Sequence, residues 1–212
     1  MTLMPQKLFD LYDRQRKKIA ALAQGAELTG DYLHPVFGEG PMHPRLMLIG
    51  EAPGRVEAEQ GRPFVGKAGM QLDELLIGAG IERSEVFVTN VIKYRPTNVK
   101  AASVSNRTPV PQEIRRGAEL IMHEIMLIRP EIIATLGNTP LRAIGLLSGN
   151  NLGKIGSEHG RVQSGCVEEI EFLLFPLYHP ASGIYNRALL PVMKDDIAVL
   201  GILLDKVTSE EA

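Results

Sequence analysis

Four short apolar runs restrict what this chain can fold into: "RLMLIG" at 45–50, "EVFVTN" at 85–90, "EIIATLG" at 131–137 and "EFLLFPLYH" at 171–179. The first three are apolar without alternation, as in strands that are buried on both faces of a parallel sheet. Helical periodicity separates them, at roughly 69–80, 111–129 and 138–147, with a last helix near 190–206. A further helical pattern over 5–24 carries Leu8, Leu11, Tyr12, Ile19 and Leu22 with charges between them. This alternation predicts an α/β fold, a three-layer sandwich with a central four-stranded parallel sheet flanked by helices. A length of 212 residues suits a single domain over 1–212, with an N-terminal helix and loop (1–44) packed on it. The stretch 95–111, "RPTNVKAASVSNRTPVP", reads as one long mobile loop.

Ligands of open α/β sheets sit at the carboxyl ends of the strands. Here those ends are Gly50-Glu51, Thr89-Asn90, Gly137-Asn138 and Tyr178-His179, so a carboxylate, amides and an imidazole share one rim. Polar residues at strand ends are also common for the plain reason that the ends meet water. The glycine-rich loops "LIGEAPG" (48–54) and "GRPFVGKAG" (61–69) tilt the balance, because Gly50, Gly54, Gly61, Gly66 and Gly69 let backbone N–H groups approach a ligand closely. Phe64, after a proline and two positions before a glycine, offers a face for a flat ring. An enzyme that works on a nucleobase needs such a set, with an aromatic face for the extruded base and hydrogen bonds to its pairing edge. An asparagine amide pairs one donor with one acceptor and so matches the O4/N3 edge of uracil; cytosine presents the opposite pattern.

The blocks "GEAPG", "GRPFVGKAG", "VTNVIKYRP", "NRTPVPQE" and "YHPAS" resemble, in order and spacing over about 45–200, the uracil-DNA glycosylase superfamily, closest to family 4. The resemblance implies base flipping and hydrolysis of the uracil N-glycosidic bond in base-excision repair, with no metal in the chemistry. It implies catalytic roles for Glu51, Glu57 and His179. It implies base contacts from Gly50, Ala52, Pro53, Phe64, Asn90 and His179, with Phe64 stacking and Asn90 reading the edge. Of the two carboxylates, the reading favours Glu57 for the water and Glu51 for loop geometry. A solvated charge for Glu57, core filling for Phe64 and a purely structural role for His179 are the plain alternatives.

Net charge is only −2, so contact with DNA needs a local basic patch. Between 93 and 116 six basic residues face one acidic residue, a local charge of +5. Lys67, Lys93, Arg95, Asn106 and Arg107 are the expected DNA contacts. Ser182, Ile184, Tyr185 and Arg187 join them from the loop "SGIYNR", which in the resembling enzymes enters the minor groove; Ile184 and Tyr185 suit a wedge. The expected partner is uracil-containing DNA, double- or single-stranded, met by a monomer.

Family 4 enzymes hold a four-iron, four-sulfur cluster on four cysteines. In this chain Tyr94 stands at the third place, Gly117 falls near the fourth, and the single cysteine, Cys166, lies elsewhere. No iron–sulfur cluster or other cofactor is therefore expected, with the N-terminal helix and Tyr94 filling the space by apolar packing. The related enzymes that trap uracil through a loop histidine have no counterpart, since the stretch 97–109, "TNVKAASVSNRTP", has none. Neither a signal-peptide core nor an apolar run long enough to span a bilayer is present, which points to a cytoplasmic protein without a membrane partner. The competing reading is a catalytically weak or inactive glycosylase-fold protein that binds DNA or a protein partner. Lacking G-x-G-x-x-G and P-loop motifs, the chain does not read as a nucleotide-binding α/β protein.

Overall fold

The computed structural model describes residues 5–24 and 29–210, the last four of them in backbone only. All four apolar runs form strands: β2 (Leu46–Gly50), β3 (Val86–Asn90), β6 (Ile132–Leu136) and β8 (Ile170–Leu177). They pair in parallel in the order β3-β2-β6-β8. A fifth strand, β7 (Gln163–Val167), adds antiparallel to β8 at the edge, so the sheet is five-stranded rather than four-stranded. "QSGCV" has no apolar run to announce it, because an edge strand buries only part of its surface.

Register decides where the strand tips lie. Gly50 pairs with Asn90, and Leu136 with Leu177, so the residues that follow all emerge on one rim. The chain runs from β2 to β3 on one side and returns past β2 to β6 on the other. That reversal opens a crevice between β2 and β6 at their carboxyl ends.

Helices cover both faces. On one side α1 (Gln6–Leu22), α4 (Pro111–Ile128) and α5 (Asn138–Ser148) bury Leu8, Tyr12, Ile121, Ile125 and Ile144 against Met47, Ile49, Phe87 and Ile133. On the other, α3 (Lys67–Gly78) and α8 (Leu190–Glu210) bury Leu72, Leu76, Ile197 and Leu200 against Leu48, Val88, Ala134 and Phe175. Three short helices, α2 (Arg55–Gln60), α6 (Ile155–Glu158) and α7 (Pro180–Tyr185), stand at the rim or beside it. None of the described helices is long and apolar enough to cross a membrane.

The expected long loop at 95–111 is largely a hairpin. Strands β4 (Arg95–Lys100) and β5 (Ser103–Asn106) pair antiparallel around a two-residue turn, and β1 (Gly30–Asp31) adds to β4. Its base is pinned by Arg107, whose guanidinium donates to both Glu113 oxygens (2.6 and 2.8 Å) and to the Thr29 carbonyl (3.0 Å). Glu113 also accepts from the Val110 N–H at the start of α4 (2.9 Å) and from the Tyr94 hydroxyl (2.7 Å). The Tyr94 ring lies 4.5 Å from that of Tyr32, so this space is filled by a tyrosine pair anchored on a buried carboxylate, not by apolar packing alone.

Candidate active site

Gly50 ends β2, just before the cavity-lining Glu51. A Cβ on Gly50 would lie 2.3 Å from the Asn90 Oδ1 and 2.4 Å from the ring of Phe64, so only glycine lets these two side chains close over the strand end. Phe64 itself turns through a left-handed backbone (φ 55°), a conformation that a non-glycine residue holds only when its surroundings impose it. Gly69 permits that turn, since a Cβ there would sit 1.9 Å from the Phe64 carbonyl oxygen. Glu57, in the first turn of α2, accepts the Gly54 N–H (3.2 Å) and the Gly66 N–H (2.7 Å). One carboxylate thus ties the two glycine loops together.

The other carboxylate bridges the crevice: Glu51, just past β2, accepts a short hydrogen bond from the Thr139 hydroxyl on α5. Both carboxylates thus brace the loops: Glu57 joins the two glycine loops, and Glu51 ties the tip of β2 to α5. Asn138, just past β6, accepts the Ile155 N–H (2.9 Å).

His179 caps α7. Its Nδ1 accepts the Ala181 N–H (3.2 Å), which places the ring proton on Nε2. Burial pushes the imidazole below its ordinary pKa, only partly opposed by the Glu57 charge, so the ring is a neutral donor at pH 7. The His179 and Phe64 ring centroids are 6.2 Å apart.

These groups share one cavity of about 720 Å³, lined by Glu51, Ala52, Glu57, Phe64, Asn90 and His179 among others. An aromatic face, a buried amide, a neutral imidazole donor and two carboxylates thus surround one space. The family model described as "Uracil DNA glycosylase superfamily" matches residues 37–197.

The chain belongs to the uracil-DNA glycosylase superfamily. It is 38% identical to a type-4 uracil-DNA glycosylase of Sulfurisphaera tokodaii, across 76% of this chain and 70% of that protein. To one from Pyrobaculum aerophilum it is 37% identical (77% and 80% covered), and to one from Thermotoga maritima 32% identical (86% of each). The α/β sandwich expected from the apolar runs is the fold of this superfamily.

Not every expected residue reaches the cavity. Pro53 is buried and absent from its wall, and Gly50 is absent too, since Asn90 and Phe64 close over it. Lys67, Asn106, Ser182, Ile184 and Tyr185 stand along the wall and mouth. The segment expected as the loop 182–187 is mostly helix α7, because Pro180 fits its first turn and His179 caps it. Tyr185 is 89% exposed on it, Ile184 is partly exposed, and Arg187 lies just beyond. Arg95 donates to the Asn106 Oδ1 (2.7 Å) at the hairpin base.

Two expected DNA contacts must be corrected. Lys93 is 2% exposed, its ammonium enclosed by Thr89, Asn90 and Glu124, and cannot reach a phosphate. Arg107 is largely covered and bonded to Glu113 and backbone carbonyls. Lys100, Arg115 and Arg116 remain exposed, with Arg95 half-buried.

The residues do not fit an iron–sulfur cluster. Tyr94 and Gly117 offer no thiolate, a Cβ at Gly117 would lie 2.5 Å from the Val91 carbonyl oxygen, and Cys166 is exposed on edge strand β7. Among the described residues no group of three or more His, Cys, Asp or Glu side chains is placed to hold a metal.

Thr139 and the support beneath Tyr178 escape a reading of the sequence. His159 pairs with Asp196 of α8 (2.8 Å) and packs 4.6 Å from the Tyr178 ring. Thr139 could have been found, since it lies two residues past a strand tip already singled out. The His159–Asp196 pair, 37 residues apart, leaves no sequence signal.

Proposed function

We propose that this protein excises uracil from DNA, flipping the nucleotide into the cavity and hydrolysing its N-glycosidic bond to leave an abasic site. The observation that carries the reading is that Phe64, Asn90 and His179 line a single cavity at the strand tips. Uracil stacks on Phe64, and the Asn90 amide meets O4 and N3–H. As the bond breaks, the sugar gains oxocarbenium character and uracil departs as an anion. A neutral His179 donating from Nε2 to O2 stabilises that charge as it forms; loss of one such donor typically costs about 10²–10³ in rate.

Of the two carboxylates, Glu51 is the better acceptor for the attacking water, because Glu57 is engaged with two backbone N–H groups and Glu51 with one hydroxyl. Either can offset the sugar's positive charge through space. Ile184 and Tyr185 on α7 fill the gap left by the flipped base, and Lys100, Arg115 and Arg116 hold phosphates. The reading includes action on double- or single-stranded DNA as a cytoplasmic monomer, without a cluster, since one cysteine cannot ligate one.

A nicking assay tests it. A uracil-containing oligonucleotide incubated with the protein and then treated with alkali should be cut, and His179→Ala should slow the cutting by about 10²-fold or more. No cutting of U:G, U:A or single-stranded substrates would leave DNA binding without catalysis as the better description.

A further inference from the structure

On the inner side of Asn90 lies a buried polar cluster that the proposed chemistry does not use. The Lys93 ammonium donates to the Thr89 Oγ1 (2.5 Å), the Asn90 carbonyl (2.7 Å) and the Glu124 carboxylate (2.9 Å). Glu124, on α4 and fully buried, also accepts from the Tyr12 hydroxyl of α1 (2.8 Å) and from Thr89 (3.1 Å). All three ammonium hydrogens therefore have partners, and both carboxylate oxygens are engaged.

Stability is a weak reason for such a cluster. Desolvating two charges is costly, and replacing a buried ion pair by neutral groups of similar volume is often harmless. What the cluster does provide is a fixed point at residue 90. Just beyond it the Val91 and Ile92 N–H groups donate to the Gly50 and Glu51 carbonyls (2.9 and 3.0 Å), so β3 ends by crossing onto the tip of β2. The Asn90 peptide sits at that bend, and any rotation of it swings the amide relative to the Phe64 ring.

We propose that Lys93, braced by Glu124 and Tyr12, is a positioning residue for Asn90: its grip on the Asn90 carbonyl sets the angle at which the side-chain amide meets the base. The proposal rests on the base-reading role given to Asn90 above. It also means that α1 and α4, which contribute nothing to the cavity wall, take part in base recognition through Tyr12 and Glu124.

The test replaces the ion pair as a unit, with Lys93→Met/Glu124→Gln, since a single replacement would strand a buried charge. Folding is followed by circular dichroism, and excision by single-turnover kinetics on a U:G duplex. The folded double variant should lose about 10–100-fold in rate, as a misdirected contact does. The same replacement in an Asn90→Ala background should cost less than about 2-fold more, because residues acting through one another are not additive. A folded double variant with the full wild-type rate, or one losing the same factor without the Asn90 amide, would overturn the proposal.

A second readout is independent of activity. The side-chain NH₂ resonances of Asn90 in an ¹⁵N–¹H spectrum should shift and broaden in the double variant; unchanged resonances would equally overturn it. Were the wild type to excise no uracil, the glycosylase reading would fail by itself and this spectrum would still decide the positioning role. If the neutral pair does not fold, Lys93→Arg serves for both readouts, because it keeps the charge opposite Glu124 while moving the donors off the Asn90 carbonyl.

Discussion

Gly50 and His179 carry the sharpest consequences at the scale of single residues. Gly50→Ala drives a methyl into both the Asn90 amide and the Phe64 ring, with backbone strand pairing on the other side to stop it retreating. Activity should fall by about 10²-fold while the melting temperature moves little, since the displaced groups border an open cavity; steady-state kinetics beside a thermal melt check this. For His179 the sign follows from burial. Its folded-state pKa lies below the unfolded value of about 6.5, so the neutral, Nε2-protonated ring persists into mildly acidic solution. The acidic limb of the excision profile that depends on His179 should therefore fall below pH 6.5 and vanish in His179→Ala. By the same linkage, the stability held by the neutral ring is present above pH 6.5 and declines as pH drops, because the unfolded chain then binds the extra proton. Glu51→Gln against Glu57→Gln separates the carboxylates: the first should lower the chemical rate with the fold intact. The second should loosen both glycine loops and raise KM as well.

At the scale of elements, a polar anchor helps to hold the base of the β4–β5 hairpin, and another adds to the apolar packing of α1. The hairpin base depends on the Arg107–Glu113 pair. Burial by itself would raise the Glu113 pKa, but hydrogen bonds from Arg107, Tyr94 and the Val110 N–H outweigh it and hold the carboxyl below its usual range. The pair's stabilisation is thus complete above the ordinary carboxylate range and is lost as pH falls through the lower folded value. Arg107→Ala leaves Glu113 buried with less compensation and should cost about 3 kcal/mol in a denaturant titration. Helix α1 is joined to α4 by the Tyr12–Glu124 hydrogen bond, and Tyr12→Phe should cost about 2 kcal/mol, the scale of a hydrogen bond to a charged group.

For the whole molecule, the electrostatic problem is a chain of net charge −2 that must meet a polyanion. With Lys93 and Arg107 withdrawn into ion pairs, the surface left for phosphate is smaller than the count of basic residues suggests. Binding to DNA should weaken with salt along a shallow slope, and Arg115→Ala/Arg116→Ala should flatten it further, by about one to two units of log Kd per log salt. Fluorescence anisotropy over a salt series measures both. A slope unaffected by the double variant would remove α4 from the interface.

The amino-acid sequence by itself determined the four parallel strands, the residues at their tips and the two glycine loops, because solid apolar runs and clustered glycines are local patterns with few structural solutions. It pointed to Phe64, Asn90 and His179 for the same reason: each lies at a fixed offset from such a pattern. Only the tertiary structure decided what those patterns cannot encode. The edge strand β7 and the hairpin at 95–106 depend on a neighbour supplying half of the hydrogen bonds. Lys93 reads as a phosphate contact until Glu124, 31 residues on, turns it inward. Glu57 accepts N–H groups from two separate glycine loops, a partnership that its position in the sequence does not announce. A side chain's charge is written in the sequence, but its partner is chosen by the packing that brings distant segments together.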